Sequence, residues 1–280
     1  MAPMKTQAEK AAEFAALHAA PGCFVIPNPW DAGSARILGA LGFKALTTTS
    51  AGFARSTGVK DYGVTRALVV EHARVLCAAT DLPVAADLED GFGWKPEDCA
   101  RTIREGAAAG LVGGSIEDFT GDEKKPIYDL EAAADRIRGA AEAARALPFK
   151  FMLVARAENY LRGNTDLKDT IKRLQTYQEA GADVLFAPGI RTADELRTLC
   201  SSVDRPVNIL RGPWEEKLSV AEVGRLGVKR ISVGNLLHSA AMTGFLAAAR
   251  ELLEGTFKFA SGVVSGKELD QLLSAGEPKA

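Results

Sequence analysis

The stretch Val84-Ala85-Ala86-Asp87-Leu88-Glu89-Asp90-Gly91-Phe92-Gly93 decides how this sequence folds. Its apolar beginning is short enough for one buried strand, and it ends abruptly in acids and glycines. The run Gly114-Ser115-Ile116-Glu117-Asp118 repeats this pattern one unit later. Carboxylates at the ends of neighbouring buried strands repel one another, and burial disfavours their charged forms. We therefore expect a positive group between them, most simply a metal ion.

Short apolar segments of this kind alternate with helical patterns along the 280 residues, without a break in composition. The alternation predicts a (β/α)8 barrel, also called a TIM barrel, with an N-terminal helix. An open doubly wound sheet is the structural alternative, but no Gly-x-Gly-x-x-Gly follows the first strand. We expect the barrel over residues 1–255 and a tail with one short helix over 256–280. The predicted strands are 23–27, 45–49, 84–87, 112–117, 151–155, 184–187, 207–210 and 230–233, and residues 50–63 are predicted as a loop.

Composition narrows the class of partner. The chain is 47% hydrophobic and 25% charged, as in ordinary globular proteins, and its net charge of −2 gives no reason to expect a nucleic-acid or membrane partner. No apolar run approaches the roughly 20 residues that cross a bilayer. Residues 1–18 lack the apolar core of a signal peptide. The four cysteines are scattered without paired spacing, which indicates neither a disulfide framework nor a zinc cluster. A cytoplasmic location is the resulting prediction.

Function in a barrel of this type lies at the carboxyl ends of the strands. The acids concentrate after predicted strands three and four, and Arg156 follows strand five, opposite them. Reading the strand ends in turn predicts an active face formed by Asn28, Trp30, Asp31, Thr48, Thr49, Ser50, Asp87, Glu89, Asp90, Glu117, Asp118, Arg156, Glu158, Asn208, Arg211, Gly234 and Asn235.

The acids on this face favour a hard divalent cation. Mg²⁺ prefers oxygen ligands and often takes only one or two carboxylates directly, so acids without a nearby histidine or cysteine indicate Mg²⁺ or Mn²⁺ rather than zinc. We predict Asp87 and Glu117 as ligands; salt bridges to arginines are the alternative. For Glu89 and Asp118, metal binding and a structural role are about equally expected, since side chains alternate along a strand and these two could point away from the mouth of the barrel.

Arg156 could bind a substrate, or it could pair with acidic side chains of the protein. A guanidinium at the end of a buried strand can hold a substrate carboxylate in a bidentate pair, and it can equally neutralise Glu117 or Glu158. The segment Thr49–Gly52 could offer hydroxyl and backbone N–H groups to an anion, or form an ordinary turn. No lysine occupies the carboxyl end of a predicted strand, which disfavours an aldolase that forms a Schiff base.

Five motifs of the sequence come in a recognisable order. They are Asn28–Ala35, Thr49–Gly52, Ala86–Gly93, Ser115–Asp118 and Val154–Glu158. Together they resemble the isocitrate lyase/phosphoenolpyruvate mutase superfamily over roughly residues 10–260. The resemblance implies a (β/α)8 barrel whose eighth helix is exchanged with a neighbouring subunit, usually in a homotetramer built as a dimer of swapped dimers. It also implies Mg²⁺-dependent cleavage or formation of a C–C or C–P bond next to a 2-oxo acid.

The resemblance also implies roles for individual residues. Asp87 resembles the principal metal ligand, which can also contact substrate, and Glu89 and Glu117 resemble ligands that act through metal-bound waters. Arg156 resembles the residue that binds the substrate carboxylate or the enolate oxygen. Further positions match the family's remaining substrate contacts: Thr49, Ser50 and Ala51 bind the carboxylate, Asp61 is an acid of a mobile gating loop, and Asn208 contacts substrate. Arg156, Asp61 and Glu117 are the catalytic residues expected on this basis.

Two loops depart from the resemblance. Lyases for isocitrate and methylisocitrate carry a cysteine and a histidine in the loop after strand four, whereas Phe119–Pro126 has neither, so those substrates are not expected. The lysine and asparagine of the mutase-type loop are also missing, and Glu89 replaces a more usual aspartate. Substrate specificity is expected to depend on residues 119–128 and 157–165 and on the surroundings of Trp214.

The main hypothesis is a Mg²⁺-dependent lyase or decarboxylase that acts on a small 2-oxo or 2-hydroxy acid, resembling oxaloacetate or an alkylmalate, through an enolate. One alternative is a hydrolase or mutase that breaks the C–P bond of phosphonopyruvate. A third is a non-catalytic member that binds 2-oxo acids. The expected partners are a small carboxylate substrate and further copies of the same chain.

Overall fold

Eight parallel strands form the centre of the fold, in the order β1-β8-β7-β6-β5-β4-β3-β2. The computed structural model describes residues 4–212 and 217–278. The strands are β1 (Phe24–Ile26), β2 (Leu46–Thr47), β3 (Val84–Asp87), β4 (Gly113–Glu117), β5 (Met152–Arg156), β6 (Val184–Phe186), β7 (Val207–Leu210) and β8 (Val228–Ser232). The Thr47 N–H donates to the Pro27 carbonyl at 3.1 Å and so links β2 to the end of β1. This nearly closed ring confirms the predicted barrel.

Helices follow the strands around the outside of the barrel. They are α1 (Gln7–Ala19), α2 (Ala32–Ala40), α3 (Ser50–Ser56), α4 (Arg66–Ala79), α5 (Pro96–Ala108), α6 (Leu130–Arg145), α7 (Leu167–Glu179), α8 (Ala193–Ser201), α9 (Val220–Arg225), α10 (Leu236–Leu253), a 3₁₀-helix (Lys258–Gly262) and α11 (Gly266–Ala275). No helix within the described ranges is both long and apolar enough to cross a bilayer.

Helix α1 packs at the amino-terminal end of the barrel. Its fully buried Phe14 belongs to the inner core together with Ile26, and its His18 ring meets the Phe24 ring edge to face at 5.2 Å. At this end Gly113 begins β4, and a Cβ there would come within 2.9 Å of the Phe14 ring. Apolar side chains of α1 thus fill this end of the barrel, and an interior cavity lies toward the opposite, carboxyl end.

The prediction of an uninterrupted loop over residues 50–63 is wrong. Helix α3 begins at Ser50, and the Thr49 hydroxyl caps it by accepting the Gly52 N–H at 3.2 Å. The helix has seven residues and includes a glycine, so it carries no apolar stripe that sequence periodicity could reveal. The consequence for the site is that Thr49 and Ser50 are held in a fixed backbone geometry.

Helix α10 has the position of the eighth helix but is barely covered by its own chain. Throughout this fully described helix, His238 is the only buried residue, while Phe245, Leu246, Leu252 and Leu253 are exposed. In the tail, α11 packs against α2, where Arg36 forms an ion pair with Glu277 at 3.1 Å. The exchange of the eighth helix between subunits and the division at residue 255 stay predictions.

Candidate active site

The carboxyl ends of the strands enclose a cavity of about 190 Å³. Most of the predicted site residues line it, although they come from five different segments of the chain. These lining residues are Thr49, Ser50, Ala51, Asp61, Asp87, Arg156 and Asn208. Trp214, around which we also expect residues that determine substrate specificity, lies outside the described residues. The fold therefore brings most of the predicted substrate contacts to one place, while their individual roles stay predictions.

Arg156 lies among three carboxylates. Its Nη1 is 3.3 Å from Glu117 Oε2 and 3.9 Å from Asp87 Oδ1, and its Nε donates to Glu158. The register of β4 and β5 places Glu117 directly beside Arg156. Burial lowers the pKa of the guanidinium, but the facing carboxylates outweigh it, so the pKa lies well above its usual value. Arg156 is thus a permanent positive charge in the wall of the cavity.

Asp87 is fixed from both sides at the end of β3. Its Oδ2 accepts the Ser50 hydroxyl at 2.8 Å, and its Oδ1 accepts the Glu89 N–H at 3.3 Å. Its own N–H donates to the Thr48 hydroxyl at 3.0 Å, which ties the end of β3 to the end of β2. The orientation of this carboxylate is therefore set by neighbouring strands before any ligand arrives.

Glu117 lies behind the cavity wall and is held by Tyr62. The Tyr62 hydroxyl donates to Glu117 Oε1 at 2.6 Å and accepts from Arg162 Nη2 at 2.8 Å. Arg162 also pairs with Glu158 at 3.3 Å and lies over the Phe119 ring at 3.4 Å. Burial raises the pKa of Glu117 well above its usual value, although Arg156 opposes this. Tyr62 and Arg162 are not among the predicted site residues, although Tyr62 follows Asp61 and Arg162 lies within the predicted specificity loop 157–165.

Tyr62 has a backbone conformation that side chains rarely adopt. Its φ angle of 60° lies in the left-handed region, which favours glycine. Residues held in such conformations cluster at functional sites, where surrounding contacts maintain them. Here the hydrogen bonds to Glu117 and Arg162 supply those contacts. The segment carrying the predicted gating-loop acid Asp61 is thus anchored over the cavity through its neighbour.

Glu89 and Asp61 are two further acids close to Asp87. Burial and the nearby Asp87 and Asp61 raise the pKa of Glu89 to about 8. Burial and Asp87 likewise raise the pKa of Asp61. Glu89 Oε1 is buried and accepts no hydrogen bond within the described residues. These raised pKa values disfavour the ionised carboxylates, and a cation bound beside Asp87 would favour them again.

The residues present fit a hard divalent cation. Within residues 4–212 and 217–278, no group of three or more carboxylate, histidine or cysteine side chains forms a ready-made cluster of metal ligands. Mg²⁺ does not need one, because it keeps several waters and often takes only one or two carboxylates. The unpartnered Glu89 oxygen, the excess of acids and the purely oxygen donor set match these preferences. The ligand set Asp87, Glu89 and Glu117 stays a prediction.

Glu89→Gln is expected to remove a pH dependence of stability from the metal-free protein. Because the pKa of Glu89 is raised from 4.5 to about 8, the folded state binds more protons than the unfolded state between these pH values. The free energy of unfolding of the wild type therefore falls as pH rises through this window, and that of the variant falls less. Thermal unfolding midpoints measured across the window with a chelator present check this. The exposed Glu97→Gln variant is the control and should follow the wild type, whereas parallel curves for Glu89→Gln and wild type would contradict the prediction.

Other residues of the predicted face support the structure instead of the cavity. Asp118 Oδ2 accepts the Tyr177 hydroxyl at 2.5 Å and pairs with Arg173 at 3.1 Å, because alternation along the chain turns it away from Glu117. Asp90 lies 3.7 Å from Arg136, also outside the cavity. Asp31 caps α2, where it accepts the Ser34 N–H at 2.7 Å. Trp30 packs edge to face on His238 at 5.4 Å.

Asn208 lies on the opposite wall of the cavity from Asp87 and is fully buried. Its Oδ1 accepts Arg230 Nε at 2.8 Å, and its Nδ2 donates to the Ser232 hydroxyl at 3.1 Å. Arg230 and Ser232 are not among the predicted site residues. The alternation within β8 could have revealed them, since two polar side chains separated by one apolar residue share the inner face of the barrel.

The carboxyl end of this parallel barrel joins a cluster of acids to a buried arginine. Comparison with known families identifies the class of protein. The family described as phosphoenolpyruvate phosphomutase matches residues 14–253, and the chain belongs to this family, within the isocitrate lyase/phosphoenolpyruvate mutase superfamily.

Individual relatives cover most of the chain. A solved structure from Burkholderia cenocepacia J2315, provisionally described as a lyase/mutase, is 51% identical, covers 98% of this chain and 99% of its own, and superposes with a TM-score of 0.94. A 2-methylisocitrate lyase of Bacillus subtilis is 31% identical over 72% of this chain and 67% of its own length. An oxaloacetate decarboxylase of Chromohalobacter salexigens is 29% identical over 85% of this chain and 84% of its own.

The same fold occurs in a phosphonopyruvate hydrolase solved with oxalate and Mg²⁺, with a TM-score of 0.84 over 95% of each chain. At 22% identity this likeness shows a shared fold alone. The superfamily thus includes C–C lyases, decarboxylases and enzymes of C–P chemistry. The chain is an enzyme of this superfamily, and its reaction has to be argued from its own site.

Proposed function

We propose that this enzyme is a Mg²⁺-dependent lyase or decarboxylase that cleaves the C–C bond next to the carboxylate of a small 2-oxo or 2-hydroxy acid. The substrate would resemble oxaloacetate or an alkylmalate, and the reaction would pass through an enolate. The observation that carries the proposal is Arg156, whose buried positive charge lies within 3.9 Å of Asp87 in the wall of one enclosed cavity. The relatives described as oxaloacetate decarboxylase and 2-methylisocitrate lyase support the same reaction class.

Asp87 would hold the metal directly, and Glu89 and Glu117 would hold it through water. When bound, Mg²⁺ acts as a Lewis acid that polarises a carbonyl oxygen and stabilises negative charge on it. Mn²⁺ has the same preference for oxygen ligands and could replace it. The surroundings of Glu89 support this assignment, because burial and then the neighbouring acids Asp87 and Asp61 raise its pKa, and a cation there would oppose both effects.

The protein's own groups bind and orient the substrate. Arg156 neutralises the oxygen on which charge develops as the bond breaks, and in a buried site such an electrostatic contact counts for more than in water. Thr49, Ser50 and Ala51 line the cavity beside Asp87 and would bind the carboxylate through hydroxyl and backbone N–H groups. Asp61 lies on the anchored loop segment, in the wall that would face the reacting group.

The sequence of the loop after β4 indicates which kind of substrate the enzyme accepts. It is closed by an antiparallel bridge between Phe119 and Ile127, and its sequence contains neither the cysteine nor the histidine expected of lyases for isocitrate and methylisocitrate. We therefore propose a simpler acid than methylisocitrate, even though a relative at 31% identity carries that activity in its name. The loop instead supplies Phe119, which packs under Arg162.

A substrate panel tests the proposal. Purified enzyme with Mg²⁺ is incubated with oxaloacetate, alkylmalates and phosphonopyruvate, and pyruvate, phosphate and cleaved 2-oxo acid are measured separately. We expect turnover of a C–C substrate that stops when a chelator removes the metal. Phosphate release from phosphonopyruvate without C–C cleavage would establish the C–P alternative. Thermal stabilisation by these acids without any turnover would establish the non-catalytic alternative.

We also propose that the enzyme is a homo-oligomer in which α10 packs on a neighbouring subunit. The support is the exposed apolar row of α10, which includes Phe245, Leu246 and Leu253. Exposed apolar surface of this kind marks interaction sites. A cytoplasmic location stays a prediction.

A further inference from the structure

Five side chains beside the cavity form a closed ring of polar contacts. Arg156 pairs with Glu117 at 3.3 Å and donates through its Nε to Glu158. Glu117 accepts the Tyr62 hydroxyl at 2.6 Å, and that hydroxyl accepts from Arg162 at 2.8 Å. An ion pair of 3.3 Å between Arg162 and Glu158 closes the ring. The ring thus connects the ends of β4 and β5 to the segment between α3 and α4, which carries Tyr62.

The ring is largely shielded from water. The side chains of Glu158 and Glu117 are 0% and 2% exposed, and those of Arg156 and Arg162 are 13% and 18% exposed. Hydrogen bonds to charged groups are stronger than those between neutral groups, and a buried charged group that loses one is destabilised by more than an exposed one. Removing one member of the ring should therefore change the positions of its neighbours.

Aromatic rings set the plane of the Arg162 guanidinium. The guanidinium lies 3.4 Å over the Phe119 ring and 5.5 Å over the Tyr62 ring, and these two rings meet at 5.0 Å. A guanidinium can stack on an aromatic face while its fork of N–H donors stays free for acceptors in the same plane. Arg162 Nη2 can therefore reach both the Tyr62 hydroxyl and the Glu158 carboxylate.

Tyr62 is the member of the ring that determines how Glu117 is oriented from the loop side. One oxygen of Glu117 accepts the Tyr62 hydroxyl, and the other faces Arg156. Tyr62 can make this contact because its backbone is left-handed, with φ of 60°, a conformation that neighbouring contacts must maintain. Arg162 supplies such a contact. The order of action is therefore from Arg162 to Tyr62 and from Tyr62 to Glu117.

We propose that Tyr62 and Arg162 are positioning residues: Arg162 holds the Tyr62 hydroxyl, and the hydroxyl fixes the Glu117 carboxylate for a divalent cation bound at Asp87. This inference rests on the proposed function, in which Glu117 holds the cation through water. Groups that hydrogen-bond to the ligands of a metal commonly contribute about 10- to 100-fold to metal affinity or activity. The effect of Tyr62 should therefore be measurable on metal binding alone, without substrate.

The test is Mn²⁺ binding to the substrate-free enzyme, measured by electron paramagnetic resonance of the free ion. The proteins compared are wild type, Tyr62→Phe, Arg162→Lys and the double variant. Lysine keeps the positive charge of Arg162, so that a change in cation affinity cannot come from a change in net charge. Tyr177→Phe is the matched control, because the Tyr177 hydroxyl likewise donates to an acid, Asp118, but lies outside the cavity. Thermal unfolding verifies that each variant is folded.

Tyr62→Phe is expected to raise the Kd for Mn²⁺ about tenfold, and Arg162→Lys should raise it about threefold. The double variant should resemble Tyr62→Phe, because two residues that act through one contact do not have additive effects. At saturating Mn²⁺, the kcat of Tyr62→Phe should still be lower than that of the wild type, with KM within about threefold, since the position of Arg156 affects chiefly the developing charge. Tyr177→Phe should keep the wild-type Kd and kcat.

An unchanged Kd for Mn²⁺ in Tyr62→Phe would overturn the proposal, and so would equal changes in Tyr62→Phe and Tyr177→Phe or additive effects in the double variant. Should Tyr62→Phe fail to fold, an unchanged Kd in Arg162→Lys would overturn it and a raised Kd would support it. Normal Mn²⁺ affinity in Tyr62→Phe together with metal-dependent turnover would leave the proposed function standing. Weaker Mn²⁺ binding in Tyr62→Phe without turnover of any acid by the wild type would overturn the proposed function and leave the positioning role standing.

Discussion

Asp87→Asn is expected to lower kcat/KM by about 10³-fold, which corresponds to about 4 kcal/mol of transition-state stabilisation. The amide keeps the size of the side chain and can still contact Ser50, but it removes the negative charge that would hold the metal. Steady-state assays across a range of Mg²⁺ concentrations measure the effect. The loss should persist at saturating metal if the ligand also orients the reacting groups.

The control for this variant is Asp90→Asn, three residues further along the same segment. Asp90 accepts the Phe92 N–H at 2.8 Å and pairs with Arg136 outside the cavity. Its replacement should change stability and leave turnover of the folded enzyme within about threefold, on the scale of less than 1 kcal/mol. A near-normal rate in Asp87→Asn, or equal losses in the two variants, would argue against a metal site at Asp87.

Arg156→Lys is expected to lower kcat/KM by about 10²- to 10³-fold, the range observed when one electrostatic donor to a developing oxyanion is lost. Lysine retains the charge, so Asp87, Glu117 and Glu158 stay compensated, but it cannot reproduce the planar fork of the guanidinium. The loss should appear mainly in kcat, because the contact strengthens as charge develops on the substrate oxygen. Steady-state kinetics on the substrate found by the panel check this.

Arg156→Gln separates the structural role of this arginine from its role in the reaction. Removing this cation from among three carboxylates should destabilise the protein by about 3–5 kcal/mol, measured by chemical unfolding. Arg173→Lys is the control for both variants, since Arg173 pairs with Asp118 outside the cavity. A fully active Arg156→Lys enzyme would contradict the proposed contact with the oxyanion.

The alternation of strands and helices can be predicted from the sequence because each strand ends at a recognisable change from apolar to polar residues. A fully buried parallel strand is a short apolar run, and its end is marked by the first polar side chain that reaches the mouth. For this reason β3 was predicted over Val84–Asp87 and α10 over Leu236–Leu253, as the structure has them. The same rule places the acids that follow strands three and four at the carboxyl ends of these strands.

Contacts between distant segments could not be read in this way. The hydrogen bond from Tyr62 to Glu117 joins residues 55 positions apart and depends on a left-handed backbone that no local pattern announces. Arg230 lies within β8, before the end at which function was expected, and its hydrogen bond to Asn208 joins residues 22 positions apart. Helix α3 was missed because it is stabilised by its cap and by the barrel more than by an apolar stripe.

The most direct test is to determine the structure of the enzyme with Mn²⁺ and oxalate, recording anomalous diffraction from the metal. We expect one strong anomalous peak next to the Asp87 carboxylate, with Glu89 or Glu117 linked to it through water, and oxalate between the metal and the guanidinium of Arg156. A metal peak away from Asp87, or oxalate bound without contact to Arg156, would contradict the proposed site.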